Sequence, residues 1–161
     1  MIHIRQASEK DIPALMNLLS QVLEVHAVIR PDLFVSGTRK YTEEELREIL
    51  ADPSRPVFVA EEDGGPVAGY CFCVLRAEHS NCGRDSETLY IDDLCVDETC
   101  RGRHIGADLF DFVKAEAKRR GCYHLTLNVW EGNSNALAFY QKRGLKTQKT
   151  VMEMILDPES N

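Results

Sequence analysis

The stretch CRGRHIGADLF, residues 100–110, decides how this chain is read. Arg101, Gly102, Arg103, His104 and Gly106 crowd directly before an apolar helical pattern. Glycine is a poor helix former, so the cluster marks an entrance rather than a helix interior. At such an entrance the first amide groups lack internal partners and the macrodipole is positive. A phosphate can take those N–H groups. Gly102 and Gly106 would let it approach the backbone closely, and Arg101 and Arg103 would add charge-assisted bonds. A solvated basic loop with glycines for turning accounts for the same residues. The segment alone leaves both readings open.

Working outward, GADLFDFVKAEAKRRG is a strongly amphipathic helix with Leu109, Phe112 and Val113 facing inward and Gly121 as its stop. Before it, TLYIDDLCVD reads as a strand, and PVFVAEE with VAGYCFCVLRAE, joined at Gly64-Gly65, as an antiparallel hairpin. IHIR is a short first strand. Ser8 or Asp11 caps the helix that follows, whose stripe is Ile12, Leu15, Leu19, Val22 and Leu23. RPDLFVSG is a loop, and Thr42 with Glu45 is a capping-box signature before LREIL. After the central helix, YHLTLNVW reads as a strand with Tyr123, Leu125, Leu127 and Val129 on one face. NSNALAFYQKRG is a helix capped by Asn133 or Ser134, and KTQKTVMEMIL supplies one or two final strands. This order predicts an α/β (α+β) fold. A mixed, mostly antiparallel sheet of six to seven strands carries about four helices on both faces.

The 161 residues suit one ordinary domain, 1–161. Nineteen basic against 26 acidic residues give a net charge of −7, which argues against nucleic acid as the main partner and fits a cationic substrate. Solubility alone is the plainer reading of the acidity. The start lacks the pattern of a signal peptide, and no unbroken apolar run approaches the roughly 18 residues of a membrane span. A cytoplasmic location is expected, with no membrane partner. The six cysteines form no C-x-x-C pair and read as reduced thiols, and the five histidines show no metal-ligand spacing. No metal site is expected.

YIDDLCV breaks a local rule. Asp is depleted in strands, yet Asp92 and Asp93 stand side by side between apolar neighbours. Adjacent strand residues face opposite sides unless a bulge turns them together. One aspartate pointing to solvent is the plain alternative.

Together these segments resemble the GNAT superfamily of acetyl-CoA-dependent N-acetyltransferases. Its R/Q-x-x-G-x-G/A motif, between the fourth strand and the third helix, corresponds to Arg101-Gly102-Arg103-His104-Ile105-Gly106. Its later Asn followed by an aromatic and Tyr corresponds to Asn133 and Phe139-Tyr140. The resemblance is strong over 88–145 and weaker over 1–55. It implies that backbone N–H groups from Arg101 through Gly102, Arg103, His104, Ile105 and Gly106 to Ala107 bind the coenzyme A pyrophosphate. It also implies that Leu94, Cys95 and Val96 pair with the pantetheine arm as an added strand would, where the fourth and fifth strands splay apart, and that Asn133 meets the same arm. Tyr140 is then the general acid for the departing thiolate. Its helical spacing from Leu137 also suits a core residue. His104 stands where the family carries glycine. It is expected in the first helical turn, with its imidazole beside phosphate oxygens and binding that tightens from pH 8 to 6.

GNAT proteins commonly carry a bulge in this strand, and YIDDLCV also resembles a segment of the spermidine/spermine (diamine) acetyltransferases. That match implies Asp92 as base, through a water, and Asp93 as amine anchor. A base matters because an alkylammonium with a pKa near ~10.4 costs roughly 4–5 kcal/mol to deprotonate at pH 7. His26 and Arg30, with Asp32, are expected to border the acceptor side, with punctuation by Pro31 as the alternative. Trp130 lines the same opening or packs. At Asn128 the similar N-terminal acetyltransferases of ribosomal proteins carry Glu, and an amide cannot be a base. The expected function is therefore acetyl transfer from acetyl-CoA to a primary amine, a small cationic amine first. A protein lysine or N-terminus comes second, and an acyl-CoA-binding sensor is the reading without turnover. A nucleotide-binding module would place its glycine turn after the first strand, not after four or five. A homodimer stands as an open alternative to a monomer.

Overall fold

The computed structural model describes residues 1–157. Five strands, β1 (Ile2–Gln6), β2 (Val57–Glu62), β3 (Val67–Glu78), β4 (Ser86–Val96) and β5 (His124–Leu127), form one sheet in the order β1-β2-β3-β4-β5. The first three pairings are antiparallel and β4 runs parallel to β5. Helices α1 (Ile12–Ile29) and α2 (Glu43–Ala51) cover one face. Helices α3 (Ile105–Arg119) and α4 (Ser134–Lys142) cover the other.

The alternation of each strand splits the interior into two cores. Val57, Val59, Tyr70, Phe72 and Cys95 pack under α1 and α2 with Leu15, Leu18, Leu19 and Leu46. Phe58, Ala60, Cys71, Cys73, Leu89 and Ile91 pack under α3 with Leu109, Phe110 and Val113. Because both faces are covered, β2 and β3 read as nearly continuous apolar runs. Phe112 is only partly buried and meets Phe58 edge-on at 5.2 Å; Phe110 is the more deeply buried ring.

Local signals behave as their chemistry demands. The Thr42 hydroxyl accepts from the Glu45 N–H at 3.2 Å, and Glu45 accepts from the Thr42 N–H at 2.8 Å, closing the capping box of α2. Asp11, rather than capping α1 directly, ends a short 3-10 turn (Glu9–Asp11) and accepts the Ser8 N–H at 2.8 Å. It also takes both forks of Arg5 at 2.8 Å. The continuous helix Glu9–Ile29 has 21 residues and a mean hydropathy of 1.5. By length and composition that is enough to cross a membrane, which a search for unbroken apolar runs misses. Its Leu15, Leu18 and Leu19 are buried in the core beneath α2.

The strand count is five rather than six to seven. β5 ends at Leu127, so Asn128 to Trp130 leave the ladder, and Tyr123 lies exposed rather than beside Leu125. Residues 146–157 have strand-like composition but make no ladder. A ladder requires a partner edge in register, and composition does not supply one.

Candidate active site

The turn into α3 takes its shape from two left-handed residues. Gly102 has φ 78° and His104 has φ 63°; His104 is the only non-glycine residue with positive φ among those described. His104 is therefore the residue flanking α3, not a member of its first turn as expected. Left-handed backbone ends regular helical hydrogen bonding. No side chain caps α3, whereas Thr42 caps α2 and Asn133 caps α4 through the Ala136 N–H at 3.3 Å. The first-turn N–H groups of α3 are thus free of side-chain acceptors, the condition an anion needs. The side chains of Ile105 and Ala107 turn into the core and leave only their backbone outward. Gly106 brings α3 close to its neighbours: a Cβ there would lie 3.4 Å from Val96 Cγ2 and 3.7 Å from the Phe139 ring. Arg101 is exposed, and Arg103 is ion-paired with Glu62 of β2. Asn133, expected against the pantetheine arm, spends its side-chain oxygen on the α4 cap.

β4 changes partners in mid-course. It pairs with β5 only over Thr88–Ile91, so the edge of Leu94, Cys95 and Val96 has no strand beside it, while the other edge stays bonded to Gly69–Cys71. The Cys95 side chain is buried against the Leu18 carbonyl at 3.7 Å, and burial pushes its thiol up to about 12. Leu94 and Val96 on either side of it are partly buried against the α3 core.

The same strand carries a bulge. Phe72 opposes Asp93 and Cys73 opposes Ile91, which leaves Asp92 as the extra residue. Both carboxylates consequently reach partners on the α1–α2 side. Asp92 Oδ2 accepts from the Tyr41 hydroxyl at 2.7 Å and the Lys40 ammonium at 3.0 Å. Asp93 Oδ2 accepts from the Tyr70 hydroxyl at 2.7 Å. Burial raises the pKa of Asp93, opposed by the Tyr70 hydrogen bond and by the charges of Lys40 and His26. Burial lowers that of His26, against the pull of Asp93.

The expected acceptor-side residues form one cluster. His26 meets Phe34 at 5.3 Å, Phe34 meets Trp130 edge-on at 5.7 Å, and the Arg30 guanidinium sits over Trp130 at 5.4 Å. Arg30 is held by Asp32 at 2.7 Å and by Glu153 at 2.5 Å, so it ties the α1–α2 connection to the C-terminal segment. Asn128 donates to the Tyr90 hydroxyl at 3.0 Å.

Tyr140 lies on α4 with its ring against Phe110 at 6.1 Å and Phe139 at 5.1 Å. Its hydroxyl bonds to none of the described residues. Burial, then the charges at Cys71 and Asp93, raise its pKa well above the usual tyrosine value. The ring is core and the hydroxyl stays protonated.

Residues 22–145 match the family model described as Acetyltransferase (GNAT) family. The chain belongs to the GNAT family. It is an acetyl-CoA-dependent N-acetyltransferase. Among similar proteins, an aminoglycoside N(6')-acetyltransferase type 1 of Serratia marcescens is 25% identical over 130 residues, 81% of this chain and 89% of that protein. The peptidyl-lysine N-acetyltransferase YjaB of Salmonella typhimurium is 34% identical over 63% of this chain and 59% of its own length. The solved structure of a mutant BH1408 protein from Bacillus halodurans superposes with a TM-score of 0.91 at 30% identity, covering 96% of this chain and 99% of that one.

The uncapped α3 entrance lies beside the open β4 edge, with Gly106 against Val96. A cavity of about 730 Å³ lies elsewhere, at the start of β4, around the exposed His79–Asp85 ion pair. It is far along the strand from Asp92 and holds none of these elements. Sequence reasoning missed Lys40, Tyr41 and Tyr70, the direct partners of the aspartates. Tyr70 lies inside the apolar run VAGYCFCVLRAE and Lys40 and Tyr41 inside the polar stretch TRKYTEEE, so nothing local marks them; strand pairing and packing put them in contact with Asp92 and Asp93. The described residues contain no cluster of three or more His, Cys, Asp or Glu arranged for a metal.

Proposed function

We propose that this GNAT protein acetylates the primary amine of a small cationic acceptor. One observation carries the reading: the Asp92 bulge turns two adjacent carboxylates to the same side of β4, beside the point where β4 and β5 part. Two carboxylates in a partly buried site favour an ammonium over a neutral group. Asp93, deeper and braced by Tyr70, anchors the ammonium. Asp92, which is 20% exposed, takes its proton directly or through a water. Tyr140, held protonated, supplies the proton to the departing sulfur. The backbone N–H groups from Arg101 to Ala107 hold the pyrophosphate, and the Leu94–Val96 edge holds the pantetheine amides. His26 and the Phe34–Trp130 pair border the acceptor.

A protein lysine is the second reading. It is favoured by the likeness to YjaB and by the lysine ammonium already resting on Asp92. The test is acetyl-CoA turnover against panels of diamines and polyamines, amino acids, aminoglycosides and lysine peptides. Highest kcat/KM with small diamines supports the first reading. Highest kcat/KM with peptides replaces it by the second.

A further inference from the structure

We propose that Lys40 is an internal acceptor: the protein acetylates its own Lys40. This rests on the acetyl-transfer reading of Asp92 and Tyr140. Lys40 lies in the irregular connection between α1 and α2, and its side chain is 42% exposed. Its Nζ stands 3.0 Å from Asp92 Oδ2, the same oxygen that takes the Tyr41 hydroxyl, and 5.5 Å from the Tyr41 ring centre. Its charge is felt by Asp93 and by His26. An ammonium therefore already rests against the group expected to deprotonate the acceptor.

Other lysines, such as Lys10, Lys114, Lys118 and Lys142, are also exposed; among the described residues Lys40 is the lysine paired with Asp92, set apart by position and not by access. The Lys40 end of this pair is open to solvent, so water competes for the contact. The connection carrying it has no helix or strand to hold the nitrogen away from the open β4 edge.

The step balances. Asp92 accepts a proton from the Lys40 ammonium, and the freed nitrogen lone pair attacks the thioester carbonyl carbon of acetyl-CoA. The C–N bond forms, the C–S bond breaks, and the sulfur leaves with the proton of Tyr140. The nitrogen of the adduct gives up its second proton, which returns through solvent to the Tyr140 oxygen, and the proton taken by Asp92 is the one released overall. The product is neutral Nε-acetyl-Lys40, which leaves Asp92 for an external ammonium.

The full-length protein is incubated with acetyl-CoA and no acceptor, then measured by intact mass and peptide mapping. The expected result is gain of one acetyl group, at Lys40, with a rate constant independent of protein concentration. Tyr140→Phe slows that label about 10²-fold, in step with its loss of acceptor turnover. Lys40→Arg abolishes the label, because a guanidinium keeps its charge and is no acceptor. Label spread over the exposed lysines and indifferent to Tyr140→Phe is solution chemistry and overturns the proposal. Turnover of panel amines with Lys40 unmodified overturns this inference alone. No turnover of any amine and no label overturns both readings.

Discussion

If the α3 entrance is built as described, replacing His104 should change stability with a sign that ordinary helix propensity cannot produce. His104 holds φ 63°. For an L-residue the left-handed region costs roughly 1–2 kcal/mol. Histidine is among the residue types that tolerate it, so about 1 kcal/mol is the fair figure. His104→Gly removes that cost but adds about 0.5–1 kcal/mol of unfolded-chain entropy, a net gain of up to about 0.5 kcal/mol. His104→Val puts a β-branched residue where it is a true outlier, and should lose about 1–2 kcal/mol. The gap between the two variants is then about 2 kcal/mol. In a chain of 161 residues that corresponds to about 4–8 °C in Tm, glycine higher. Were residue 104 in the first helical turn, as the motif alone suggests, glycine would be the less stable by about 0.3–0.5 kcal/mol. Thermal unfolding of His104→Gly, →Ala and →Val decides between them; valine at or above glycine refutes the left-handed turn. Coenzyme A calorimetry on the same proteins adds a functional arm. Glycine should retain binding, while valine should weaken it by distorting the turn.

Other expectations follow from the same geometry. Tyr140→Phe keeps the ring against Phe110 and removes only the hydroxyl, so kcat should fall about 10²-fold with acetyl-CoA affinity nearly unchanged; equal kcat would make Tyr140 a packing residue alone. Asp92→Asn should lower kcat most at neutral pH and recover toward the pKa of the amine. Asp93→Asn should chiefly raise the acceptor KM, and a parental pH–rate profile and KM in both would sink the assignment. Asp11→Asn breaks the paired forks of Arg5, which are only about a quarter exposed, and should cost about 2–4 kcal/mol by urea unfolding at pH 7. The Arg5 hydrogen bonds hold Asp11 below its ordinary pKa of 3.8, so this stabilisation is present above pH 3.8 and is lost as pH falls through the lower folded value. The gap between parent and variant should therefore close in acid, and a gap that persists at pH 2 would contradict the pairing.

Read as sequence, the chain already determined what depends on neighbours along it. The Thr42–Glu45 box, the Gly64-Gly65 hairpin and the amphipathic α3 follow from propensity, capping and period, which operate within a few residues. The motif from Arg101 to Gly106 was visible for the same reason: its residues act through one local turn. Asp92 and Asp93 were visible as a broken strand rule. Their shared face was not, because a bulge is a mismatch between two strands and only the pairing of β4 with β3 creates it. The left-handed setting of His104 was also hidden, since histidine rarely adopts it and nothing local requires it. Strand number was misjudged where composition suited a strand but no edge received it, as in residues 146–157. The tertiary structure alone decided which cation meets Asp92. Lys40 is remote in sequence from that carboxylate, and only the packing of the α1–α2 connection over the sheet brings the two within 3.0 Å.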